Sequence, residues 1–385
     1  MNVSNTAWGI IGSRILRRPF YGRVHVTYRC NYRCQMCGVR QNRDKFAELP
    51  PEALAVVSER LWALGARHVV LTGGEPFLRK DLVDVVRVFA RRGFSIRIQT
   101  NGGPQVTRER LADVAGAGTC DLSVSVDTLD PALQDRICGG RDVLTHALRT
   151  LGLSLDLLPR GMSLANIVGS PLNFAELPRL VRYFGARGIY TYITPAVVCD
   201  PGGPPGDDYL FRSADAAFDF SALAPSARDR VVDELITLRR SGEGLTNSTR
   251  YLEDFREFLA TGRSAWACSA GVTALDVRPD GSVSACKEKP PLGSILDPSF
   301  ASYYRGGEFR RRAEAQASSC AGCFYAEYRE PDYAIRHMSV LREWTVDWLR
   351  TFRKGMNWRR AGSSRRTGLP VEEITAGRRA AGAGE

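Results

Sequence analysis

The sequence is short of several residue types. Its 385 residues include four histidines (His25, His68, His146 and His337), five methionines and five lysines, the lysines set against 48 arginines. His25 and His68 fall in predicted strands, so histidine is not the expected catalytic group. No run of 18 apolar residues occurs, which excludes a membrane-spanning helix. The first twenty residues, MNVSNTAWGIIGSRILRRPF, have neither a long apolar core nor a small-residue cleavage site, so they read as mature protein. With no export signal, the cytoplasm is the expected compartment. There, clustered cysteines bind metal more often than they pair. The net charge of +11 is uneven: from Arg350 onward nine basic residues face three acidic ones, +6, leaving +5 for the rest. Elsewhere the charges are interspersed, so nucleic acid is not expected as a partner. The arginine bias reads as a genomic signature.

What is present begins with alternation. Strand-like runs lie at 23–29, 68–74, 94–103, 121–128, 162–168 and 189–198, separated by helical patterns such as PPEALAVVSERLWALG (50–65) and RKDLVDVVRVFARRG (79–93). About six β-α units imply a parallel sheet or an open barrel with helices outside. The stretch CDPGGPPGDDY (199–209) interrupts the pattern. Helical stretches at about 225–240 and 249–260 lead to short strands and further cysteines, and VLREWTVDWLR (340–350) has the spacing of a packed helix. The Arg/Gly/Ala-rich end carries little to bury and is expected to be disordered.

Three cysteines, Cys30, Cys34 and Cys37, sit within eight residues, where four would close a zinc site. A cubane iron–sulfur cluster has four irons, each wanting one outer ligand. Three thiolates from one loop leave one iron open. A zinc site completed by a distant ligand is the alternative. Downstream, TGGEP (72–76) ends the second predicted strand, and its glycines permit close approach of a ligand to backbone. Both motifs fall at strand C-termini, where barrel enzymes build active sites.

Cys30-x3-Cys34-x2-Cys37 combined with Gly73-Gly74-Glu75-Pro76 resembles the radical S-adenosylmethionine (SAM) superfamily, over a core of about residues 20–200 with an extension to about 335. The resemblance implies a partial (β/α)6 TIM-like barrel with a small α+β C-terminal auxiliary-cluster domain. It also implies a [4Fe–4S] cluster on the three cysteines, with SAM on the open iron. Gly73, Gly74 and Glu75 would contact the methionine amino group, and Met36 would lie by the adenine. QTNG (99–102) and SVD (125–127) look like the family's next strand ends, which assigns Asn101, Ser125 and Asp127 to the cofactor. The arginine many relatives carry after that Asp is replaced by Cys138, with Arg136 nearby.

Cys268, Cys286, Cys320 and Cys323 form a second set, with a Gly-x4-Cys element (GSVSAC) and a Cys-x2-Cys pair (CAGC). Alone they could bind zinc. Beside the first motif they resemble a twitch-type or reduced SPASM domain, similar to that of 2-deoxy-scyllo-inosamine dehydrogenases. That resemblance implies one auxiliary [4Fe–4S] cluster with four protein ligands, able to accept an electron or to hold the fold. The implied organisation is an N-terminal extension (1–20), the core (21–200), a loop and helical linker (201–262), the auxiliary domain (263–335), a C-terminal helix (336–360) and a basic tail (361–385). Of the spare thiols Cys120, Cys138 and Cys199, the last ends the sixth predicted strand and could return a hydrogen atom to a substrate radical. The expected reaction is oxidation of a small polar metabolite, sugar- or cyclitol-like, with an external one-electron donor of flavodoxin or ferredoxin type. Maturation of a ribosomally made peptide and radical epimerisation are the alternatives.

Overall fold

A computed structural model of the chain describes residues 17–41, 46–159, 161–197, 215–262, 266–318, 320 and 323–361, with 12, 13 and 15. Six parallel strands run in sequence order: β1 (Tyr21–Thr27), β2 (His68–Gly73), β3 (Ser95–Thr100), β4 (Thr119–Ser125), β5 (Ser163–Gly169) and β6 (Tyr190–Pro195). Helices connect them: α1 (Pro51–Leu64), α2 (Leu82–Arg91), α3 (Arg108–Ala117), α4 (Pro131–Cys138), α5 (Val143–Leu157) and α6 (Leu177–Gly185). Helix α1 shows why this sequence folds so. Pro51 starts it, and Leu54, Val57, Leu61 and Leu64 line its buried side at helical spacing. Gly65, at φ 114°, ends it by donating its N–H to Leu61 and Trp62 carbonyls. Strand residues Val24, Leu71, Ile98, Val124 and Ile167 pack with these helices in one apolar core.

The fourth predicted strand, 121–128, stops at Ser125 in the structure. The N–H groups of Asp127 and Thr128 bond instead to Gln134 Oε1, at 2.9 and 3.0 Å. Asp130 then caps α4 by accepting from Ala132 and Leu133, with Pro131 at the first helical position. Helices α4 and α5 were not foreseen from periodicity, although the Asp-Pro start is a helix signal.

The six strands form a partial TIM-like barrel: β1 and β6 do not pair, and each edge is covered in its own way. Beside β6, the segment 244–247 exchanges backbone bonds with Thr191, and Asn247 bonds both N–H and C=O of Ile193. Beside β1 lies β7 (Ala274–Val277), parallel to it, followed by antiparallel β8 (Ser282–Ser284) and β9 (Gly293–Ser294). The strands of the C-terminal region therefore continue the barrel sheet rather than forming one of their own. Helices α7 (Pro225–Ser241) and α8 (Thr249–Thr261) precede β7, and α9 (Phe300–Arg305), α10 (Glu308–Ser318), α11 (Ala326–Arg336) and α12 (Met338–Ala361) follow β9. The expected packed helix at 340–350 is the first half of α12. Its Glu343 and Asp347 clamp the buried Arg239 of α7, at 3.1 and 2.7 Å. Among the described residues no helix is long and apolar enough to cross a membrane.

Candidate active site

The parallel strands deliver their last residues to one end of the barrel, and a cavity of about 230 Å³ opens there. Cys30, Cys34 and Cys37 line it, with Met36, Gly73, Gly74, Asn101, Ser125 and Asp127. The three cysteines stand on the loop after β1, which is tied down at both ends. Gly74 N–H donates to Thr27 O (2.7 Å) and Glu75 N–H to Arg29 O (2.8 Å). On the far side, Arg33 N–H donates to Cys138 O and Gln35 N–H to Ile137 O, both at 2.9 Å. Asn101 reaches over, its Nδ2 3.7 Å from Cys30 Sγ and 2.8 Å from Asn31 Oδ1.

Burial pushes the Cys30 and Cys37 thiols up to about 12, and neighbouring thiolate charge adds to it. Cys34 is also raised, by its hydrogen bond with Cys138 and by burial. These sulfurs can be thiolates only with cationic charge among them. Among the described residues no three His, Cys, Asp or Glu side chains converge on a point as a single metal ion requires. Three thiols lining one cavity supply the soft sulfur ligands that iron–sulfur clusters take. The donor set therefore fits an iron–sulfur group.

Glu75 does not line the cavity. Its carboxylate is fully buried behind the wall, accepting from Phe77 N–H, Asn101 N–H and the Thr100 hydroxyl at 2.7–2.9 Å. It stitches the ends of β2 and β3 together instead of presenting oxygens to a ligand. Asp127 does line the cavity. Burial raises its carboxyl to about 6, against the N–H of Val168, which donates to Oδ1 at 2.8 Å. Cys138 lies on the cavity wall and Arg136 is exposed. Cys199, the candidate hydrogen donor, lies outside the described residues.

One group of residues escaped sequence reading. Arg23 on β1, Lys287 after β8 and Glu327 on α11 meet on the cavity wall with Tyr192 and Tyr325. Glu327 Oε1 takes Lys287 Nζ at 2.6 Å and Arg23 Nη2 at 3.2 Å. Burial alone would raise this carboxyl, but the two cations outweigh it and hold it at about 2. Arg23 Nε is buried without a hydrogen-bond partner. Nothing in local periodicity announces this convergence. Directly behind it stand the auxiliary cysteines. Cys286 and Cys323 pack against the cluster of Phe20, Tyr21, Tyr325 and Tyr328, Cys268 lies within electrostatic reach of Cys320 and Cys323, and Glu288 N–H donates to Cys286 Sγ at 3.4 Å. Four thiols brought into one neighbourhood are a donor set of the type that a fully ligated cluster takes.

Residues 24–184 match the family profile described as "Radical SAM superfamily". The chain is similar to the GTP 3′,8-cyclase of Synechococcus elongatus, with 33% identity over 175 residues, 44% of this chain and 52% of the relative. It is also similar to the PqqA peptide cyclase of Bradyrhizobium diazoefficiens, with 30% identity over 166 residues, 43% of each chain. The chain thus spans about half the length of the curated relatives it matches. Among solved structures, Streptococcus suis SuiB bound to its precursor peptide SuiA superposes with a TM-score of 0.58 at 14% identity, covering 75% of this chain and 65% of that one. The structure of anSMEcpe with bound AdoMet gives 0.56 at 14% identity, covering 84% and 98%. At such identities these likenesses concern the fold.

Proposed function

We propose, from the match of residues 24–184 to the Radical SAM superfamily profile, that the protein is a radical SAM enzyme with a [4Fe–4S] cluster and SAM, and that it oxidises a small polar, sugar- or cyclitol-like metabolite in a biosynthetic pathway. The observation that carries the reading is a single cavity with two unlike walls. One presents the three thiols and the strand-end residues Gly73, Gly74, Asn101, Ser125 and Asp127; the other presents Arg23, Lys287 and Glu327. When bound, the cluster and SAM supply a 5′-deoxyadenosyl radical, which takes hydrogen from an unactivated C–H bond.

The chain's own part is positioning. Cys30, Cys34 and Cys37 hold the cluster. Met36, with the strand-end residues Gly73, Gly74, Asn101, Ser125 and Asp127, holds the cofactor beside it. Glu327, kept ionised by its two cations, accepts hydrogen bonds from substrate hydroxyl or amino groups. Arg23 and Lys287 donate to substrate oxygens. Buried charges that are paired and also face a cavity orient a polar molecule at low reorganisation cost. Cys268, Cys286, Cys320 and Cys323 hold an auxiliary cluster. The reducing electron comes from an external flavodoxin- or ferredoxin-type donor. The relatives' names differ, one a GTP 3′,8-cyclase and one a PqqA peptide cyclase, and each match covers less than half of this chain. Their likeness therefore does not select the substrate.

Anaerobic reconstitution should yield about eight irons per chain, and the Cys30→Ala/Cys34→Ala/Cys37→Ala protein about four, with no cleavage of SAM. The unaltered protein is then assayed for substrate-dependent 5′-deoxyadenosine against sugars and aminocyclitols, in deuterium oxide. Oxidation places no solvent deuterium on the reacting carbon. One deuterium there would instead indicate epimerisation with an exchangeable thiol such as Cys199. A response only to peptides would replace the metabolite reading.

A further inference from the structure

Arg329, on α11, is the most deeply buried arginine among the described residues, at 1% exposed. An arginine keeps its charge in a protein interior, so burying it calls for an anion beside it. The buried Arg23, Arg79 and Arg239 each have one, in Glu327, Asp81 and Asp347. Arg329 differs. Among the described residues no carboxylate lies within ion-pair distance of it, and its Nε is buried without a hydrogen-bond partner. Its Nη1 donates to the Tyr333 hydroxyl and its Nη2 to Cys323 O, both at 3.0 Å. Its guanidinium carbon lies 4.0 Å from the centre of the Phe324 ring and 4.7 Å from that of Trp266. All of these partners are neutral. Aromatic faces and a carbonyl lessen the cost of leaving water, but none carries a net negative charge.

The carboxylates beside it in the chain, or one hydrogen bond away, are held by other groups. Asp254 accepts from the Tyr333 hydroxyl and pairs with Arg250 at 3.1 Å. Glu330 accepts the N–H of Ser248, and Asp332 pairs with Arg336 at 2.8 Å. What encloses Arg329 points to the missing anion. Phe324 directly follows Cys323, whose own carbonyl takes Nη2, and Trp266 comes two residues before Cys268. The cation is thus walled in by the chain neighbours of two auxiliary cysteines. An iron–sulfur cubane with four thiolate ligands is a net anion, and it gains a further negative charge on reduction.

Resting on the auxiliary-cluster reading above, we propose that Arg329 is the counter-cation of the iron–sulfur cluster held by Cys268, Cys286, Cys320 and Cys323, and that it raises the reduction potential of that cluster. Net charge is among the determinants of a cluster's potential, and a fixed cation nearby favours the more negative, reduced form. Arg329 touches no reacting atom; it places a charge. By doing so it makes the auxiliary cluster a better acceptor for the electron that a substrate radical gives up on oxidation.

The test uses the full chain with Cys30, Cys34 and Cys37 replaced by Ala, the parent here, so that only the auxiliary cluster of about four irons is read. Two substitutions separate charge from hydrogen bonding. Arg329→Gln keeps a donor for Cys323 O without the charge, and Arg329→Lys keeps the charge. In a potentiometric titration followed by electron paramagnetic resonance, Arg329→Gln should move the midpoint to more negative potential, and Arg329→Lys should leave it near that of the parent. An unmoved midpoint in Arg329→Gln overturns the proposal, as does an equal shift in both variants, which would indicate packing. If Arg329→Gln fails to hold iron, retention by Arg329→Lys supports the counter-charge, and loss from both refutes it. Melting gives a second readout, because cluster and cation stabilise each other. The rise in melting temperature on loading the cluster should be smaller in Arg329→Gln than in the parent and be kept in Arg329→Lys; an equal rise in all three counts against the proposal. Absence of an iron–sulfur cluster from the parent sinks the auxiliary-cluster reading and this inference with it. A null shift in loaded protein sinks the inference alone.

Discussion

Gly73 and Gly74 carry two requirements at once, and only one can be read in the sequence. As a motif they suggest backbone open to a ligand, and both do line the cavity. The structure adds that they pack against the strand that launches the cysteine loop. A Cβ on Gly73, at φ 134°, would lie 1.9 Å from Thr27 O, and one on Gly74 would lie 2.2 Å from Arg29 O. Neither obstacle is a flexible side-chain end; both are backbone. Gly74→Ala should therefore destabilise the protein by about 2–4 kcal/mol and displace Cys30, which follows Arg29 directly. A urea titration of the cluster-free chain, paired with iron content after reconstitution, reads both effects. Wild-type stability and full iron in that variant would refute the packing argument. The three cysteines were legible because ligand spacing is local. Arg23, Lys287 and Glu327 were not, because their meeting depends on how β1, the loop after β8 and α11 are brought together.

At the scale of elements, repeated apolar spacing was legible in strands and helices alike, and side-chain competition for the backbone was not. Gln134 ended β4 early by taking two N–H groups that a longer strand would have offered its neighbour. Helix α11 hides a comparable effect, since two of its carboxylates are driven in opposite directions. Glu327 is held at about 2 by its cations. Burial raises Glu330 to about 8, with Ser248 N–H donating to Oε1 at 2.7 Å and Oε2 buried without a partner. An acid raised in the folded state from 4.5 contributes nothing unfavourable while protonated in both states. The cost of ionising it grows as pH climbs from about 4.5 through 8. Glu330→Gln keeps the acceptor for Ser248 and removes the titration. The fall in melting temperature between pH 6 and pH 9 should then be smaller in Glu330→Gln than in the parent. Equal falls would show that Glu330 is not the group responsible. Glu327 has the opposite sign, and its contribution disappears only in acid, outside that window.

For the whole molecule, the sequence suggests a barrel with a separate auxiliary domain, whereas the sheet runs through both. Strand β7 pairs with β1 over four residues, and it brings Asp276 to the buried His25 and Arg23, at 3.1 and 3.9 Å. Glu327, from α11, is the other counter-charge of Arg23. Sequence reading had no access to this pairing, because β7 is short and separated from β1 by the entire core. A chain ending at residue 262 would leave Arg23 in a barrel wall with neither carboxylate, and the edge of β1 unpaired. Removing the partner of a buried charge costs about 3–5 kcal/mol, and an exposed apolar strand edge invites association. Against a typical total of about 5–15 kcal/mol, the loss of both carboxylates together with the core packing of β7 and α11 is too large for the barrel to stand alone. Residues 362–385 differ in kind: their only large aliphatic residues are Leu369, Val371 and Ile374, so little core could depend on them. Truncation at 262 should give insoluble protein or one without a cooperative melt by circular dichroism. Truncation at 361 should melt within a few degrees of the full chain and load the same iron. A soluble 1–262 fragment that melts cooperatively and binds about four irons would show that the barrel is complete without β7.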